Sequence, residues 1–431
     1  MAGLVPAIHV FSSEGEKTWM PGTRPGMTRK EKREGNMLRR RSVVKGIAAS
    51  AAAGVLTKSF PRPAIAADVP LKIGCSMPLT GAGFAAVGKL LGGAIKVYQA
   101  QHGDSVAGRK IELIIHDDSG NADNARRLVQ DMIVNDKVEM VAMGITPCTL
   151  AVAPLVTEAK KATLCMSSGA SITTTKSPYF FRVGFIIAPQ AWICAEWAIK
   201  NGSKRVVTLV NEWAPGTEAE QAFKTRFTQL GGEVIESLRV PLASPDFAPP
   251  LQRMADLKPD SAFVYFPGPL APVFTRQFAE KGLGQTGIKI FGPGDLCDDD
   301  SLDNAGDQMI GLITAGYYTA AHDSPLNKQY QADFTKLNGP LRGDFTSLGA
   351  YDGLHVIYEA LKKTGGDADG DKIMAAVKGM AFESPRGPIS VDPATRDIVS
   401  NIYMRKVEKI DGHLWAKEFE TFPNVKDPLK S

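Results

Sequence analysis

The feature that most constrains this chain begins at Leu71, where short β-branched runs start to alternate with longer amphipathic stretches. Strand-like segments fall at 71–77, 111–117, 138–144, 162–166, 205–211, 233–240, 261–266, 288–292 and 309–316. Helical patterns lie between them at 86–101, 122–135, 149–160, 187–201, 217–230, 247–256 and 269–282, with two more at 325–337 and 347–363. Repeated βα order predicts parallel sheets flanked by helices. The cadence breaks near residue 185, where one α/β unit ends and another starts. The two late helices follow the second unit, and the tail from Gly387 is strand-like with turns at Asp392-Pro393 and Asp411-Gly412. A chain that leaves one unit, builds a second and returns must cross several times, and parallel crossings make a hinge.

Ahead of this pattern, residues 37–66 read as an export signal. Arg39-Arg40-Arg41-Ser42-Val43-Val44-Lys45 is a basic segment whose adjacent arginines resemble the twin-arginine pattern, although a general secretory signal would look much the same; Gly46 to Leu56 is a mildly apolar stretch, and Ala64-Ile65-Ala66 is a small-x-small cleavage site. Eleven weakly apolar residues are too few to span a hydrocarbon core of about 30 Å, so a removed peptide is expected and not a membrane helix. Cleavage near Ala66-Ala67 would place the mature protein in the periplasm. Residues 1–36 fit no signal and are read as a mis-called leader ahead of a start at Met37.

Charge follows from that division. Residues 1–66 hold 12 of the 50 Lys and Arg but only 4 of the 46 Asp and Glu, so the remaining 365 residues carry a net charge of −4 although the whole chain is at +4. No basic surface is left to neutralise phosphates, and nucleic acid is not an expected partner. At 365 residues two domains are the natural division. The five cysteines, Cys75, Cys148, Cys165, Cys194 and Cys297, form no CxxC pair and have no Cys/His ligand spacing, so neither a metal nor a cofactor is expected. An odd number leaves at least one thiol unpaired, and Cys75 and Cys165 sit in apolar runs that suit a buried thiol.

Enzyme motifs are equally scarce. Gly81-Ala82-Gly83 follows a strand and precedes a helix, but the next glycine, Gly88, is wrongly spaced for GxGxxG and Pro78 interrupts the turn, which leaves an NAD-dependent oxidoreductase a remote alternative. No GxxxxGK[ST], GxSxG or HExxH occurs. A ligand-sensing module with a cytoplasmic partner conflicts with the export signal.

The order of motifs carries a resemblance. IGCSMPLTGAGFAAVGKLLGGAIKVYQAQ, GRKIELIIHDDSGNADNARRLVQDMIVNDKVEMVAMG, CTLAVAPLVTEAKKATLCMSSGAS, YFFRVG, GTEAEQAFKTRFTQLGGEVI, FAPPLQRMADLKPDSAFVYFPG and GAYDGLHVIYEALKK, in that sequence, resemble the leucine/isoleucine/valine-binding family of periplasmic solute-binding proteins that feed ABC importers. The resemblance spans residues 69–420. It implies a type I periplasmic binding protein: an α/β fold of two Rossmann-like lobes joined by a three-crossover hinge, closing on a small-molecule ligand and docking on an ABC permease in the inner membrane, with no enzymatic step. Lobe 1 would comprise 67–186 and 317–384, lobe 2 187–316 and 385–431, and the protein would act as a monomer.

Site residues follow partly from this resemblance and partly from strand-end chemistry, since ligands of open parallel sheets gather at helix N-termini beyond the strand ends. Thr149 stands where a helix should begin, as an N-cap or as a ligand donor. Ala170 and Ser171 match the segment with which relatives hold a ligand carboxylate, although a serine there also suits an ordinary turn. Phe84 is the aromatic available to cover the ligand from the first lobe. In the second lobe Pro215 replaces the family's aromatic, Trp213 is the substitute, and Phe266 falls near another aromatic position or packs in the core. The family's ammonium-pairing acid falls nearest Gly294, with Asp295 one residue on; Asp295, Asp298, Asp299 and Asp300 equally suit a solvated loop. Relatives often bridge the cysteine at Cys148 to one where this chain has Ser119, so that disulfide should be absent. The expected solute is a branched-chain or other apolar amino acid; an aromatic or aliphatic carboxylate, or an amide or urea, is the alternative.

Overall fold

The computed structural model describes residues 69–430 apart from 82 and 242–244, and these residues fall within one compact unit, Pro61–Ser431. The anticipated leader, export signal and cleavage point lie outside the described residues. The first lobe is built from β1 (Leu71–Met77), α1 (Ala85–His102), β2 (Ser105–Val106), β3 (Arg109–Asp117), α2 (Ala122–Asp131), β4 (Met140–Ile145), α3 (Thr146–Glu158), β5 (Thr163–Ser167) and β6 (Phe180–Arg182). Its sheet runs β2-β3-β1-β4-β5-β6, parallel throughout except for the β2–β3 hairpin.

The second lobe begins with α4 (Ile187–Lys200), β7 (Arg205–Asn211), α5 (Ala214–Gln229), β8 (Glu233–Val240) and α6 (Ala248–Leu257). It continues through β9 (Ser261–Tyr265), α7 (Leu270–Glu280), β10 (Lys289–Pro293), α8 (Leu302–Ala305) and β11 (Ile313–Gly316). The chain then returns: α9 (Pro325–Asn338) and α10 (Phe345–Thr364) pack on α1, and α11 (Gly370–Val377) packs on α10. β12 (Ala381–Ser384), β13 (Gly387–Val391), β14 (Ile398–Ile410) and β15 (His413–Val425) complete the second sheet, in the order β12-β13-β14-β11-β10-β9-β7-β8 with β15 on β14. β12 already pairs with β13, so the last crossing lies before residue 381, ahead of the expected boundary at 384.

Two expected helix starts move by the same mechanism. α3 begins at Thr146 and not at Thr149, and α5 at Ala214 and not at 217, each with a proline in its first turn: Pro147 and Pro215. Proline at that place lacks only an N–H that has no helical partner anyway, and its φ is already helical, so it starts these helices where it would break an interior. The strand expected at 309–316 is shorter, because Asp307–Met309 forms a 3-10 turn before β11.

Burial explains the layering. β1, β4 and β5 are buried along nearly their whole length, as strands with helices on both faces must be. One apolar cluster joins α1, α10 and the inner face of the first sheet to α4, α5 and the second sheet; two others sit under α2 and α3, and under α6 and α7. α10 rides directly on the strand ends: a Cβ at Gly349 would stand 2.0 Å from the carbonyl oxygen of Met166, so only glycine permits this approach.

The chain crosses between the lobes at 183–186, 317–324 and 378–380, and the first crossing is fastened by buried charge. Arg386, in the β12–β13 turn, donates to Asp352 of α10 (Nε 3.0 Å, Nη2 2.6 Å) and to the carbonyls of Gly184 (2.6 Å) and Val183 (3.2 Å). Both side chains are fully buried. No helix among the described residues is long and apolar enough to cross a membrane.

Candidate functional site

In both sheets the chain reverses its direction of strand addition, between β1 and β4 in the first lobe and between β7 and β9 in the second. Loops diverge at such points and leave a crevice at the carboxyl ends of the strands, where helix N-termini supply unpaired N–H groups. The loop after β1 (78–84) is held by Asp117 at the end of β3, which accepts from the backbone N–H of Leu79 (2.8 Å), Thr80 (3.2 Å) and Ser119 (2.8 Å) and from the Thr80 hydroxyl. Partial burial works against the Asp117 charge, but these donors outweigh it and bring its pKa down to about 2.

A depressed folded-state pKa contributes stability that is full above the unfolded value of about 4 and is lost as pH falls toward 2. Asp117→Asn should therefore flatten the fall in melting temperature between pH 4 and pH 2 relative to the parent. Parallel melting curves through that range would count against this anchoring.

The segment after β5 is shaped by a buried arginine. Arg182 of β6, fully buried, donates from Nη1 to the carbonyls of Ser168 (2.5 Å) and Ala170 (2.7 Å) and from Nε to Asp397 (2.9 Å). With those carbonyls turned toward Arg182, the N–H and hydroxyl of Ser171 face the second lobe. There they hold a carboxylate: that of Glu218, on α5, which accepts from Ser171 N (2.9 and 3.1 Å) and from Ser171 Oγ (3.0 Å). Burial pushes the Glu218 carboxyl above its ordinary pKa despite the Ser171 donors. Thr149 is not an N-cap, because Ile145 occupies that place; it lies in the first turns of α3, fully buried, with its hydroxyl donating to the Ile145 carbonyl (3.0 Å) and 2.7 Å from Ser168 Oγ. Ala170 and Ser171 are both buried.

A second contact crosses the cleft. Phe84, just before α1, and Trp213, just before α5, are half-buried with ring centroids 6.1 Å apart and planes at 31°. Trp213 Nε1 and both amide atoms of Asn211, at the end of β7, are buried and have no hydrogen-bond partner among the described residues. α5 starts against this point so closely that a Cβ at Gly216 would lie 2.4 Å from the Asn211 carbonyl oxygen.

These two lobes, their crossings and their facing strand ends correspond to a known architecture: a family model described as "Periplasmic binding protein" matches residues 70–412. The chain belongs to that family. Among its relatives is the Leu/Ile/Val-binding protein homolog 6 of Brucella melitensis biotype 1, 39% identical over 368 residues that cover 84% of this chain and 94% of the relative. Two solved structures are similar at TM-score 0.80, each covering 84% of this chain and 99% of its own. One is a solute binding protein of an ABC transporter from Rhodopseudomonas palustris BisB5 in complex with 3,4-dihydroxybenzoic acid, 53% identical. The other is from R. palustris HaA2 in complex with p-hydroxybenzoic acid, 37% identical.

Within this periplasmic binding protein the remaining anticipated residues divide. Phe266 is fully buried against Phe247 (4.9 Å between centroids) and Phe274 (4.9 Å), on the outer side of the second sheet; it is core, and the expectation of a cleft aromatic there is corrected. Its neighbour Tyr265 lies on the opposite face, as alternation along a strand requires, and its hydroxyl donates to Asp295 at 3.4 Å. Asp295 is not part of a solvated loop. It is buried in the 3-10 turn Gly294–Leu296, its Oδ2 has no partner among the described residues, and burial pushes its pKa up to about 6. Asp298 and Asp299 are likewise raised by burial, Asp299 to about 6.

Cys148 is buried and free, its thiol pushed up to about 12 by burial, with the Asp118 carboxylate adding to the effect; Ser119 stands at the family partner's position and its hydroxyl meets Thr80 at 3.1 Å. Among the described residues no cluster of His, Cys, Asp or Glu could hold a metal ion. A cavity of about 640 Å³ lined by Trp197, Phe278, Ile310 and Phe419 lies at the other end of the second lobe and contains none of the anticipated site residues.

Proposed function

We propose that this chain is the periplasmic substrate-binding component of an ABC importer and that its solute is an aromatic carboxylate of the hydroxybenzoate class. The observation that carries this reading is the cleft itself: uncharged donors of Ser171 grip a carboxylate in a cleft where Phe84 meets Trp213 across the lobes. Those are the two halves of a benzoate, an acid group and a ring. The similar structures that hold 3,4-dihydroxybenzoic acid and p-hydroxybenzoic acid support the same class.

An α-amino acid fits less well, although the Brucella relative is named for leucine, isoleucine and valine. Its ammonium needs a free carboxylate. Asp295 is the nearest family match, yet its raised pKa means that burial already disfavours the ionised form an ammonium would require. Asp295, whose Oδ1 accepts from the Tyr265 hydroxyl at 3.4 Å, offers a phenolic hydroxyl the same kind of acceptor.

Micromolar affinity needs only about 8 kcal/mol, within reach of one satisfied carboxylate plus a desolvated ring. Both lobes touch the solute only when closed, so binding shifts the population toward the form a permease in the inner membrane would recognise. Differential scanning fluorimetry against 4-hydroxybenzoate, 3,4-dihydroxybenzoate, benzoate, L-leucine, L-valine, acetamide and urea tests the assignment. At a hundredfold excess over the dissociation constant a true ligand adds about 2.7 kcal/mol, which appears as a rise of several degrees. Hydroxybenzoates should give that rise; a rise with L-leucine and none with the aromatic acids would reverse the reading.

A further inference from the structure

We propose that Glu218 is a built-in competitor for the solute's acid group: in the empty protein its carboxylate occupies the Ser171 cradle and ties the two lobes together, and a solute binds by displacing it. The inference rests on the cradle being the solute's carboxylate site, as proposed above, and adds what fills that site when no solute is present.

Three observations carry it. First, the Ser171 N–H and hydroxyl both point at Glu218, with one donor shared between the two carboxylate oxygens and the other bonded to Oε1. Second, the cradle is shaped without Glu218, because Arg182, itself anchored by Asp397, holds the Ser168 and Ala170 carbonyls from behind. A site preformed by other residues stays competent for any carboxylate. Third, Glu218 belongs to α5 of the second lobe whereas Ser171 follows β5 of the first, so the contact exists only when the lobes approach.

Simple donor arithmetic makes the two acids exclusive. One N–H and one O–H cannot satisfy two carboxylates at once, and two like charges sharing them repel in a half-buried site. The apparent dissociation constant therefore equals the intrinsic one divided by the fraction of molecules whose cradle is free of Glu218. A second consequence is specificity: a solute without an acid group gains nothing at the cradle that would offset the loss of the Glu218 bonds, so neutral amides and alcohols are excluded by an interaction the protein makes with itself.

The test uses Glu218→Gln and Glu218→Ala in the full mature chain, each checked for an intact melting transition. A neutral amide keeps the shape but loses the charge-assisted bonds, which are about twice as strong as neutral ones. Isothermal titration with 4-hydroxybenzoate should give a dissociation constant about five- to tenfold lower than the parent in Glu218→Gln, and at least as low in Glu218→Ala. Small-angle scattering of the solute-free proteins should show a larger radius of gyration in both variants, with saturated complexes unchanged. Weaker or equal binding would overturn the proposal and make Glu218 a direct solute contact or a bystander. If the parent binds L-leucine and not the aromatic acid, the function assigned above fails, but the same tightening is expected with leucine, whose carboxylate needs the same donors. If no solute tried binds, the solute-free scattering decides alone: an unchanged radius in both variants rejects the tie.

Discussion

Arg386→Met is expected to cost about 3 to 5 kcal/mol of unfolding free energy, because it strands the buried carboxylate of Asp352. Both partners are fully buried, and the guanidinium also satisfies the carbonyls of Val183 and Gly184 at the first crossing. Burial already raises the Asp352 pKa, and Arg386 is the principal force lowering it. Without Arg386 the folded state should hold a proton on Asp352 that the unfolded chain releases at ordinary carboxylate pH. A group whose folded pKa is raised in this way loses stability as pH rises, so the deficit should be larger at pH 8 than at pH 5. Denaturant unfolding at the two pH values measures it. Adding Asp352→Leu should recover much of the loss, since removing both partners of a buried pair costs far less than removing one. A deficit below about 1 kcal/mol at pH 8 would mean that this pair does not fasten the first crossing.

The sequence made the lobes legible because their strands are uniformly apolar and their helices periodic, and that pattern reports burial on one face or two. It reports nothing about which face meets the cleft. Phe266 and Tyr265 are adjacent and both aromatic, and a reading that knows only that the strand ends there cannot say that Tyr265 faces Asp295 while Phe266 joins Phe247 and Phe274. Thr149 was ambiguous for a related reason: the start of α3 depends on whether Pro147 begins or precedes it, and tertiary packing settles that.

Two of the site residues that escaped the sequence reading differ in what could have marked them. A signal existed for Arg182. It sits between apolar residues in YFFRVG, and an arginine in a buried strand must find carbonyls or carboxylates, so it could have been marked as organising the neighbouring SSGAS segment. Glu218 carried no such mark. A glutamate on an amphipathic helix reads as solvated, and only the approach of the other lobe gives it Ser171. Contacts between lobes are long-range by construction, so local periodicity cannot encode them.

Ser171→Ala combined with Thr149→Val should weaken carboxylate solutes at least tenfold where Glu218 does not compete, as in the Glu218→Gln background, and by less in the parent. The Ser171 hydroxyl is one of the two donors seen on a carboxylate here, and a hydrogen bond to a charged group is worth about 1.5 to 3 kcal/mol, so its removal alone accounts for a factor of ten or more. Thr149→Val acts at one remove. The Thr149 hydroxyl meets Ser168 Oγ inside the buried loop, and valine keeps the volume while leaving that serine with only a long bond to the Gly144 carbonyl at 3.3 Å. The loop then loses part of what fixes the direction of the Ser171 N–H. In the parent background, however, the same two changes also loosen the Glu218 carboxylate, so part of the damage to solute binding is offset by a weaker competitor. In the Glu218→Gln background that offset shrinks, and calorimetric titration should show a larger fold-loss for the same two substitutions. Equal losses in both backgrounds would mean that Glu218 and the solute use different donors, even if each separately depends on Ser171.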